Sequence, residues 1–473
     1  MFRHKKKQFT IQLLASLDPK KLDILSQRRT LKTFQRTAIS VPAYKQCLRD
    51  FNVSIAAINT IEDFKKNVPI LDKNKTFRYY AHDFKKLCVA GDIKNVTNII
   101  VSSGHSAESF SYGLSTLKET QKMQEAIDFT LDYIFDVSEK RTLLINGLPM
   151  GVHIHSSLVT VADTSVRSDI IITIIKTFAS AFEQLILVGE NSFVKKVLEE
   201  GVINGIDWKK IRLHLVLGEE ILPENLRTYF ANILGINPDM PEHQTVIGSS
   251  FGIAEIGLNV FHETKELIRI RRLMQRDRRL KEKLVGTDLE NLPALFQYNP
   301  LRVFVEEMPK ANNLSDIVLT NLDEDTNIPL VRYNTQDEGK CVSYEHLKET
   351  LIALGYNNYV PRVRLPLVAI WGREKLLLEE GFYLRPEFVK ELLYSDDEIA
   401  PAITGNFKLS NSKAGLRIEI QLKNEVSSSE GFEARIRNIL LANIPARTEI
   451  ILYPYRDFPH GLELNYERKF RYI

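Results

Sequence analysis

From about residue 95, short runs rich in β-branched residues alternate with longer segments of helical periodicity. Strands that alternate with helices form βαβ units around a mostly parallel sheet, so this pattern restricts the fold more than any other feature. The predicted strands are 97–102, 141–146, 185–188, 211–217 and 244–247, and the predicted helices are 117–135, 163–183, 191–200 and 223–234. We therefore predict an α/β fold in which helices cover both faces of the sheet.

The two ends of the chain differ from this pattern. Residues 1–90 carry leucines at helical spacing and predict a helical lead-in. From about Gly372 the pattern becomes α+β. Helices are expected at 386–394 and 430–442, and strands at 404–409, 415–422 and 447–453. We predict a large domain over 1–371 and a small C-terminal domain over 372–473.

Composition excludes several classes of protein. The 473 residues carry 63 Lys and Arg against 60 Asp and Glu, a net charge of +3, so bulk charge does not indicate nucleic-acid binding. Three scattered cysteines, Cys47, Cys88 and Cys341, are too few for a disulfide framework or a zinc site, which favours a cytoplasmic location. The longest strongly apolar run, 170–175, is far below the roughly 20 residues of a membrane span. The N-terminal MFRHKKK and the apolar residues after it predict an amphipathic helix rather than a signal peptide.

A turn rich in small residues follows the predicted strand 97–102. Ser102, Ser103, Gly104 and Ser106 offer hydroxyls and backbone N–H groups, which suit a phosphate. Two other interpretations stay open. The turn could be an ordinary serine-rich loop, or a hydrolase nucleophile elbow that lacks the final glycine of G-x-S-x-G.

Three further segments place small residues, acids and an aromatic ring after predicted strands. They contain Gly218 and Glu219, then Phe251, Gly252 and Glu255, and finally Asp337. Open α/β sheets bind ligands outside the carboxyl ends of their strands, so the three segments predict one common site.

An ordered series of motifs covers nearly the whole chain. It consists of Val41-Pro-Ala-Tyr44, Val68-Pro-Ile-Leu-Asp-Lys73, Ser102-Ser-Gly104, Phe251-Gly-Ile-Ala-Glu255, Arg332-Tyr-Asn-Thr-Gln-Asp337, Trp371-Gly-Arg373 and Gly381-Phe-Tyr-Leu-Arg-Pro386. The series resembles the adenylate-forming (acyl-activating) enzymes, and within them the phenylacetate–CoA ligase and coenzyme F390 synthetase group. The resemblance implies a large domain of layered sheets and helices with a small, mobile C-terminal lid.

The resemblance also implies a two-step reaction. A small-molecule carboxylic acid, aryl or acyl, attacks the α-phosphate of ATP in the presence of Mg²⁺ and gives an adenylate and pyrophosphate. A thiol, such as that of coenzyme A, then takes the acyl group. The alternatives are transfer to the phosphopantetheine arm of an acyl carrier protein or to an amine, and a degenerate nucleotide-binding protein without turnover. Relatives often form dimers, which implies a homodimer.

Site roles carry over by position in the motifs. The resemblance places the phosphates at Ser102, Ser103, Gly104 and Ser106, Mg²⁺ at Glu255, the ribose at Asp337 and Arg373, and the adenine at Gly218, Glu219, Phe251 and Gly252. It places the acyl pocket near Gly147, His153, His155, Ser249 and Ser250, and it makes Lys469 the catalytic lysine. Plain surface or core roles stay open for the two histidines, a surface salt bridge for Glu255, and a solvated basic tail for Lys469.

The sequence departs from the resembled pattern in the phosphate loop and at the hinge. Ala107 stands in place of a glycine, Glu108 follows it, and Gly372-Arg-Glu-Lys-Leu is shorter than the usual hinge motif. Residues 265–283 carry nine Lys or Arg, for which we consider a solvated helix face, a docking surface for an acidic carrier or for coenzyme A, and nucleic acid.

Overall fold

The computed structural model describes residues 11–12, 14–101, 111–149, 151–240, 245–286, 291–310, 314–378, 381–412, 415–424, 426–460, 466–467 and 469–473. Among these residues we find no helix whose length and apolar character would let it cross a membrane. Single turns of 3₁₀ helix lie at Ile55–Ala57, Phe84–Leu87, Val89–Gly91, Ala179–Ala181, Trp208–Lys210 and Asn357–Tyr359, and a π-helical turn lies at Asn74–Arg78.

The N-terminal region is helical. It contains α1 (Pro19–Ser40), α2 (Pro42–Asp50) and α3 (Ile61–Asn67). Thr60 and Asp63 cap α3 reciprocally, which satisfies amide groups that have no partner inside the helix. The rings of Phe34, Tyr44 and Phe64 meet edge to face, and they join the three helices into one apolar cluster.

A β-hairpin lies between the helices and the main sheet. Its antiparallel strands are β1 (Val96–Val101) and β2 (Tyr112–Thr116). A Cβ atom at Gly113 would lie 2.4 Å from the carbonyl oxygen of Ala254, so glycine lets the hairpin approach this backbone closely. The hairpin therefore packs directly against the residue that precedes Glu255.

Eleven strands form the central sheet. They are β3 (Thr142–Asn146), β4 (Thr160–Asp163), β5 (Gln184–Glu190), β6 (Leu213–Gly218), β7 (Ile247–Ile253), β8 (Gly257–His262), β9 (Ala294–Gln297), β10 (Val303–Pro309), β11 (Ser315–Asn321), β12 (Tyr333–Val342) and β13 (Leu367–Gly372). In space the order is β10-β11-β12-β13-β9-β8-β7-β6-β5-β3-β4. The five strands from β7 to β4 run parallel, and the other neighbours pair antiparallel.

Helices cover both faces of the parallel strands. They are α4 (Leu117–Phe135), α5 (Ser168–Phe178), α6 (Asn191–Ile203) and α7 (Glu224–Leu234). The apolar face of α4 packs against one side of the sheet, and the other three pack against the opposite side. The predicted α/β class is confirmed, and the predicted bounds of α4 agree with the structure because Thr116 and Glu119 form a reciprocal cap at its start.

The basic stretch 265–283 forms α8 (Lys265–Arg276) and part of α9 (Arg278–Val285). The prediction of a solvated face is wrong for Arg271 and Arg272, which are buried. Both pair with Glu224, whose carboxylate also contacts Arg227. A buried carboxylate needs such partners, and the carboxylate of Glu224 forms ion pairs with arginines of two helices. A third helix of this part, α10 (Tyr344–Ala353), follows β12.

The C-terminal region contains β14 (Leu376–Leu377), β15 (Tyr383–Leu384), α11 (Pro386–Leu393), α12 (Ile399–Ala402), β16 (Ile403–Ser412), β17 (Gly415–Leu422), α13 (Glu430–Asn443) and β18 (Thr448–Tyr453). The last three strands form a separate small sheet in the order β16-β17-β18. This arrangement agrees with the predicted α+β pattern. A single apolar cluster continues from β5, α6 and α7 into this region.

Polar contacts also join the two regions. Lys195 on α6 is fully buried, and its ammonium donates to the carbonyl oxygen of Ile403 at 2.7 Å and to Glu199 at 2.7 Å. Lys423 of the C-terminal region lies 2.6 Å from the same Glu199. Burial lowers the pKa of Lys195 to about 7, although Glu199 acts in the opposite direction.

Candidate functional site

A cavity of about 390 Å³ opens at the carboxyl ends of the central parallel strands. Segments that are far apart in sequence line it, as the sequence predicts for a ligand site of an open α/β sheet. The predicted site residues among its lining are Gly218, Glu219, Ser249, Ser250, Phe251, Gly252, Glu255, Asp337, Arg373 and Lys469.

The turn after β6 forms one wall of the cavity. Glu219 has a φ of +67°, a left-handed conformation that non-glycine residues adopt rarely. The ammonium of Lys469 donates to the carbonyl oxygen of Glu219 at 2.7 Å. Burial raises the pKa of Glu219 to about 7, although the Lys469 charge lowers it. The C-terminal segment therefore brings a cation to the end of β6.

Asp337 and Arg373, which also line the cavity, form an ion pair. The Arg373 Nε and Nη2 atoms donate to the two carboxylate oxygens of Asp337 at 3.1 and 3.2 Å. Asp337 lies on β12 and Arg373 directly follows β13, the neighbouring strand, so sheet pairing brings them together. The Asp337 charge raises the pKa of Arg373. Gly372 precedes this arginine with a φ of +83°, a conformation that favours glycine.

Glu255 lies beside two residues whose roles the sequence did not reveal. The Tyr333 hydroxyl donates to Glu255 Oε1 at 2.8 Å, and burial together with this carboxylate raises the pKa of Tyr333. Lys73 also lines the cavity, and burial lowers its pKa while the Glu255 charge acts against this. Both residues lie within motifs that resemble those of the adenylate-forming enzymes. This position was the only feature of the sequence that could have indicated a role for them.

Phe251 also lines the cavity. It stacks on Phe261 with the ring centroids 5.6 Å apart and the planes 25° apart, and it also contacts Phe296. Packing on two rings from neighbouring strands fixes its orientation. A flat aromatic surface of this kind can stack on a base.

Part of the predicted acyl pocket lies elsewhere. Gly147 packs beside Phe193, while His153 and His155 are exposed, with His153 bound to Asp163 at 3.1 Å. None of these three is among the residues described as lining the cavity. Their neighbours line it instead, namely Leu148, Val152 and Ile154. In this segment apolar residues alternate with histidines, and this alternation was the signal that could have identified the inward side.

The two serines of the predicted acyl pocket do reach the cavity. Ser249 donates its hydroxyl to the carbonyl oxygen of Leu217 at 3.1 Å, and Ser250 donates to Asn259 Oδ1 at 3.3 Å. The predicted phosphate loop, Ser102 to Ser106, lies outside the described residues. Val101 and Ser111, which flank this segment, both line the cavity.

Beside Lys469 lies a buried cluster that the sequence did not predict. Lys390 of α11 pairs with Glu220, and its ammonium lies 4.0 Å from the ring centroid of Tyr472. Burial acts to raise the pKa of Glu220, but Lys390 and Lys469 outweigh it and lower the pKa. Burial and the Glu220 charge raise the pKa of Glu190 to about 7. The contacts join the C-terminal region to the end of β6, which no single segment of sequence could indicate.

No family model matches the sequence, and no curated protein matches it. Solved structures do match the fold. One is 2-hydroxyisobutyryl-CoA ligase in the postadenylation state in complex with R3-HIB-AMP, with a TM-score of 0.68 at 11% identity over 97% of this chain and 90% of that chain. The same ligase in the postadenylation state with 2-HIB-AMP has a TM-score of 0.65 at 12% identity, over 94% and 87%.

A third structure is that ligase with 2-HIB-AMP and CoA in the thioesterification state. It has a TM-score of 0.56 at 12% identity, over 95% of this chain and 89% of that chain. The chain therefore shares the fold of 2-hydroxyisobutyryl-CoA ligase. At this level of identity the likeness concerns the fold, and it extends over nearly the whole chain.

Proposed function

We propose that this protein activates a carboxylic acid with ATP as an acyl-adenylate and passes the acyl group to a thiol. The observation that carries the proposal is the convergence of Asp337, Arg373, Glu255 and Lys469 on one cavity at the carboxyl edge of the sheet. Each of these residues comes from a different segment, and together they provide the charges that a magnesium–nucleotide complex requires.

The Asp337 side of the cavity suits the nucleoside. A carboxylate with two oxygens can accept hydrogen bonds from both ribose hydroxyls, and the Arg373 pair fixes its orientation. Phe251 offers the stacking surface for adenine between this pair and the Gly218–Glu219 turn.

The Glu255 side suits the phosphates. Magnesium in nucleotide sites takes one or two carboxylates and completes its shell with phosphate oxygens and water, so Glu255 fits the ion without further protein ligands. When bound, the ion neutralises charge that develops on the phosphates. Lys469 and Lys73 bring further positive charge to the same cavity.

The proposed reaction has two steps. An oxygen of the substrate carboxylate bonds to the α-phosphorus of ATP, and the bond from this phosphorus to pyrophosphate breaks. A thiol then bonds to the acyl carbon, loses its proton, and releases AMP. Lys469 would stabilise the negative charge of the first transition state, which is why we assign it a catalytic role.

The likeness to ligases solved with acyl-adenylates and CoA supports coenzyme A as the acceptor. A phosphopantetheine arm or an amine would leave the first step unchanged, and mass spectrometry of the products separates these acceptors. Residues 372–473 form the proposed lid, since Arg373 and Lys469 line the cavity from this region. The three free cysteines fit the proposed cytoplasmic location.

ATP–pyrophosphate exchange over a panel of carboxylic acids tests the proposal. We expect exchange that depends on both acid and Mg²⁺ in the wild type. Titration calorimetry with MgATP distinguishes the alternative of a nucleotide-binding protein without turnover, which would bind and give no exchange. Absence of both binding and exchange in well-folded protein would contradict both.

A further inference from the structure

Below the proposed nucleotide site the cavity continues into an apolar compartment, which we call the acyl chamber. Helix α4 covers one side with positions 127, 130, 131, 134 and 135, which share one face of the helix. The parallel strands form the other side. The apolar lining consists of Ile127, Leu131, Ile134, Phe135, Leu144, Leu148, Val152, Ile154, Val188, Val216, Val246 and Leu258.

Strand register gives the depth of the acyl chamber. Gly218 lies at the level of the nucleotide, and Leu144 and Val246 lie at the level of His214, four residues further down β6. Four residues of strand span about 13 Å. On the helical side, the lining positions from Ile127 to Phe135 span about 12 Å at the rise of an α-helix. The two lengths are similar.

At the floor of the acyl chamber, the polar groups of the described residues already have partners. The Phe135 ring packs against the His214 ring with their centroids 5.0 Å apart. His214 is buried, accepts from the amide of Val246 at 3.0 Å, and bonds Gln184 at 3.1 Å through its other ring nitrogen. Both nitrogens are therefore occupied by protein groups.

Three polar side chains on the chamber wall, Ser250, Asn259 and Thr130, are engaged with each other. Ser250 donates to Asn259 Oδ1, Asn259 donates to Thr130 Oγ1 at 3.1 Å, and Thr130 donates to the carbonyl oxygen of Ala126 at 3.0 Å. Among the described lining residues, the lysines and arginines are Lys73, Arg373, Lys390 and Lys469. All of these belong to the nucleotide end. His262 also lines the cavity and lies opposite Ser250 across β7 and β8. Burial lowers its pKa to about 4, so its ring is neutral, and the described walls of the acyl chamber contain no cation for a second carboxylate.

We propose that the acyl chamber selects an unbranched aliphatic monocarboxylic acid of medium chain length, with octanoic acid as the representative. The inference rests on the proposed function, since the carboxyl group must meet ATP at the mouth of the chamber. Its tail then fills a compartment lined chiefly by aliphatic side chains, where each buried methylene is favourable and a charged end is costly.

The experiment measures ATP–pyrophosphate exchange with acetic, butanoic, hexanoic, octanoic, decanoic and hexadecanoic acids. We expect kcat/KM to rise roughly four-fold per methylene until the chamber is full, and then to fall. Octanedioic acid, which differs from octanoic acid only by its terminal carboxylate, should be poorer by on the order of a hundred-fold. Phenylacetic acid serves as the aryl comparison.

Two chamber variants and one control make the assignment specific. Val216→Phe adds a ring inside the chamber and should move the optimum to shorter acids, while Leu131→Ala removes part of the wall and should move it to longer ones. Ile203→Phe, at a position 83% exposed on α6, is the matched control and should leave the optimum unchanged. Leu131→Ala still tests the assignment if Val216→Phe does not fold.

The outcomes distinguish failure of the chamber assignment from failure of the proposed function. A medium-chain optimum that shifts in opposite directions in the two variants supports the inference. Exchange that is fastest with acetic, phenylacetic or octanedioic acid, or an optimum that neither variant moves, overturns the chamber assignment and leaves the proposed function standing. Absence of exchange with every acid refutes the proposed function itself.

Discussion

Replacement of Asp337 by Asn tests the proposed nucleotide site at its most defined contact. The change keeps the size of the side chain but removes its charge, and it leaves one acceptor oxygen where there were two. Hydrogen bonds to a charged group contribute about 1.5–3 kcal/mol, so loss of one such bond to the ribose should cost about 2–3 kcal/mol of binding. The dissociation constant for MgATP should then rise roughly 30- to 150-fold.

The same change should hardly affect the folded state. The Asp337 side chain is 6% exposed and that of Arg373 is 58% exposed. Because asparagine fills the same space and water reaches Arg373, we expect the loss of the ion pair to cost about 1 kcal/mol or less. For a chain of this length, such a loss shifts the melting temperature by about 2 °C or less. The expected signature is a large change in affinity with little change in melting temperature.

The assay combines titration calorimetry with MgATP and a thermal melt of each protein. Glu449→Gln is the matched control. Glu449 pairs with Arg417 at 2.8 Å on the small sheet β16-β17-β18, and the side chains of Glu449 and Arg417 are about equally exposed. It should lose no affinity. If Asp337→Asn binds MgATP as tightly as the control, the assignment of Asp337 to the ribose is refuted.

Three further changes probe other parts of the structure. Lys469→Met should lower pyrophosphate exchange at least about a hundred-fold while thioester formation from supplied acyl-adenylate persists, and equal retention of both activities would remove this lysine from the mechanism. Glu224→Gln should lower the free energy of unfolding by about 3–5 kcal/mol in urea unfolding, because it leaves buried arginines without their shared carboxylate. A decrease below about 1 kcal/mol would contradict this view. The pKa of Lys195 is lowered to about 7 in the folded state, so the free energy of unfolding of the wild type should decrease as the pH falls from about 10 to 7. Lys195→Met should show a flatter dependence of this free energy on pH over the same range. Parallel pH dependences in the two proteins would argue against a buried lysine of low pKa.

Local patterns predicted the elements of the parallel half well. Helix 117–135 and the strands at 141–146 and 185–188 carry their own periodicity and end signals, so little information from elsewhere is needed. The apolar run 328–333 that precedes Asp337 also favours a strand, but the strand in the structure begins at Tyr333. Apolar side chains there are buried by packing against the N-terminal helices and the hairpin, and sequence alone does not distinguish this burial from that in a strand.

The residues of the site also include some that local sequence patterns could place and others that they could not. Gly218 and Glu255, which lie at the ends of β6 and β7, could be placed near one another because parallel strands bring their carboxyl ends to one edge. Asp337 was predicted to follow a strand, but it lies within β12. The burial of Arg271 depends on Glu224, which lies 47 positions away, and no local pattern reveals such a partner. The partnership of Lys390 with Glu220 spans 170 positions and is equally invisible in the sequence.

The continuous apolar cluster that joins α6 and α7 to the C-terminal sheet has a consequence for the proposed reaction cycle. Rotation of residues 372–473 about Gly372 would hydrate side chains on both sides of this shared core, and hydration of apolar surface raises the heat capacity. A catalytic cycle that visits a second orientation would then show a curved Eyring plot for the step that separates the two regions. Two independently packed domains joined only by a linker would give a straight one.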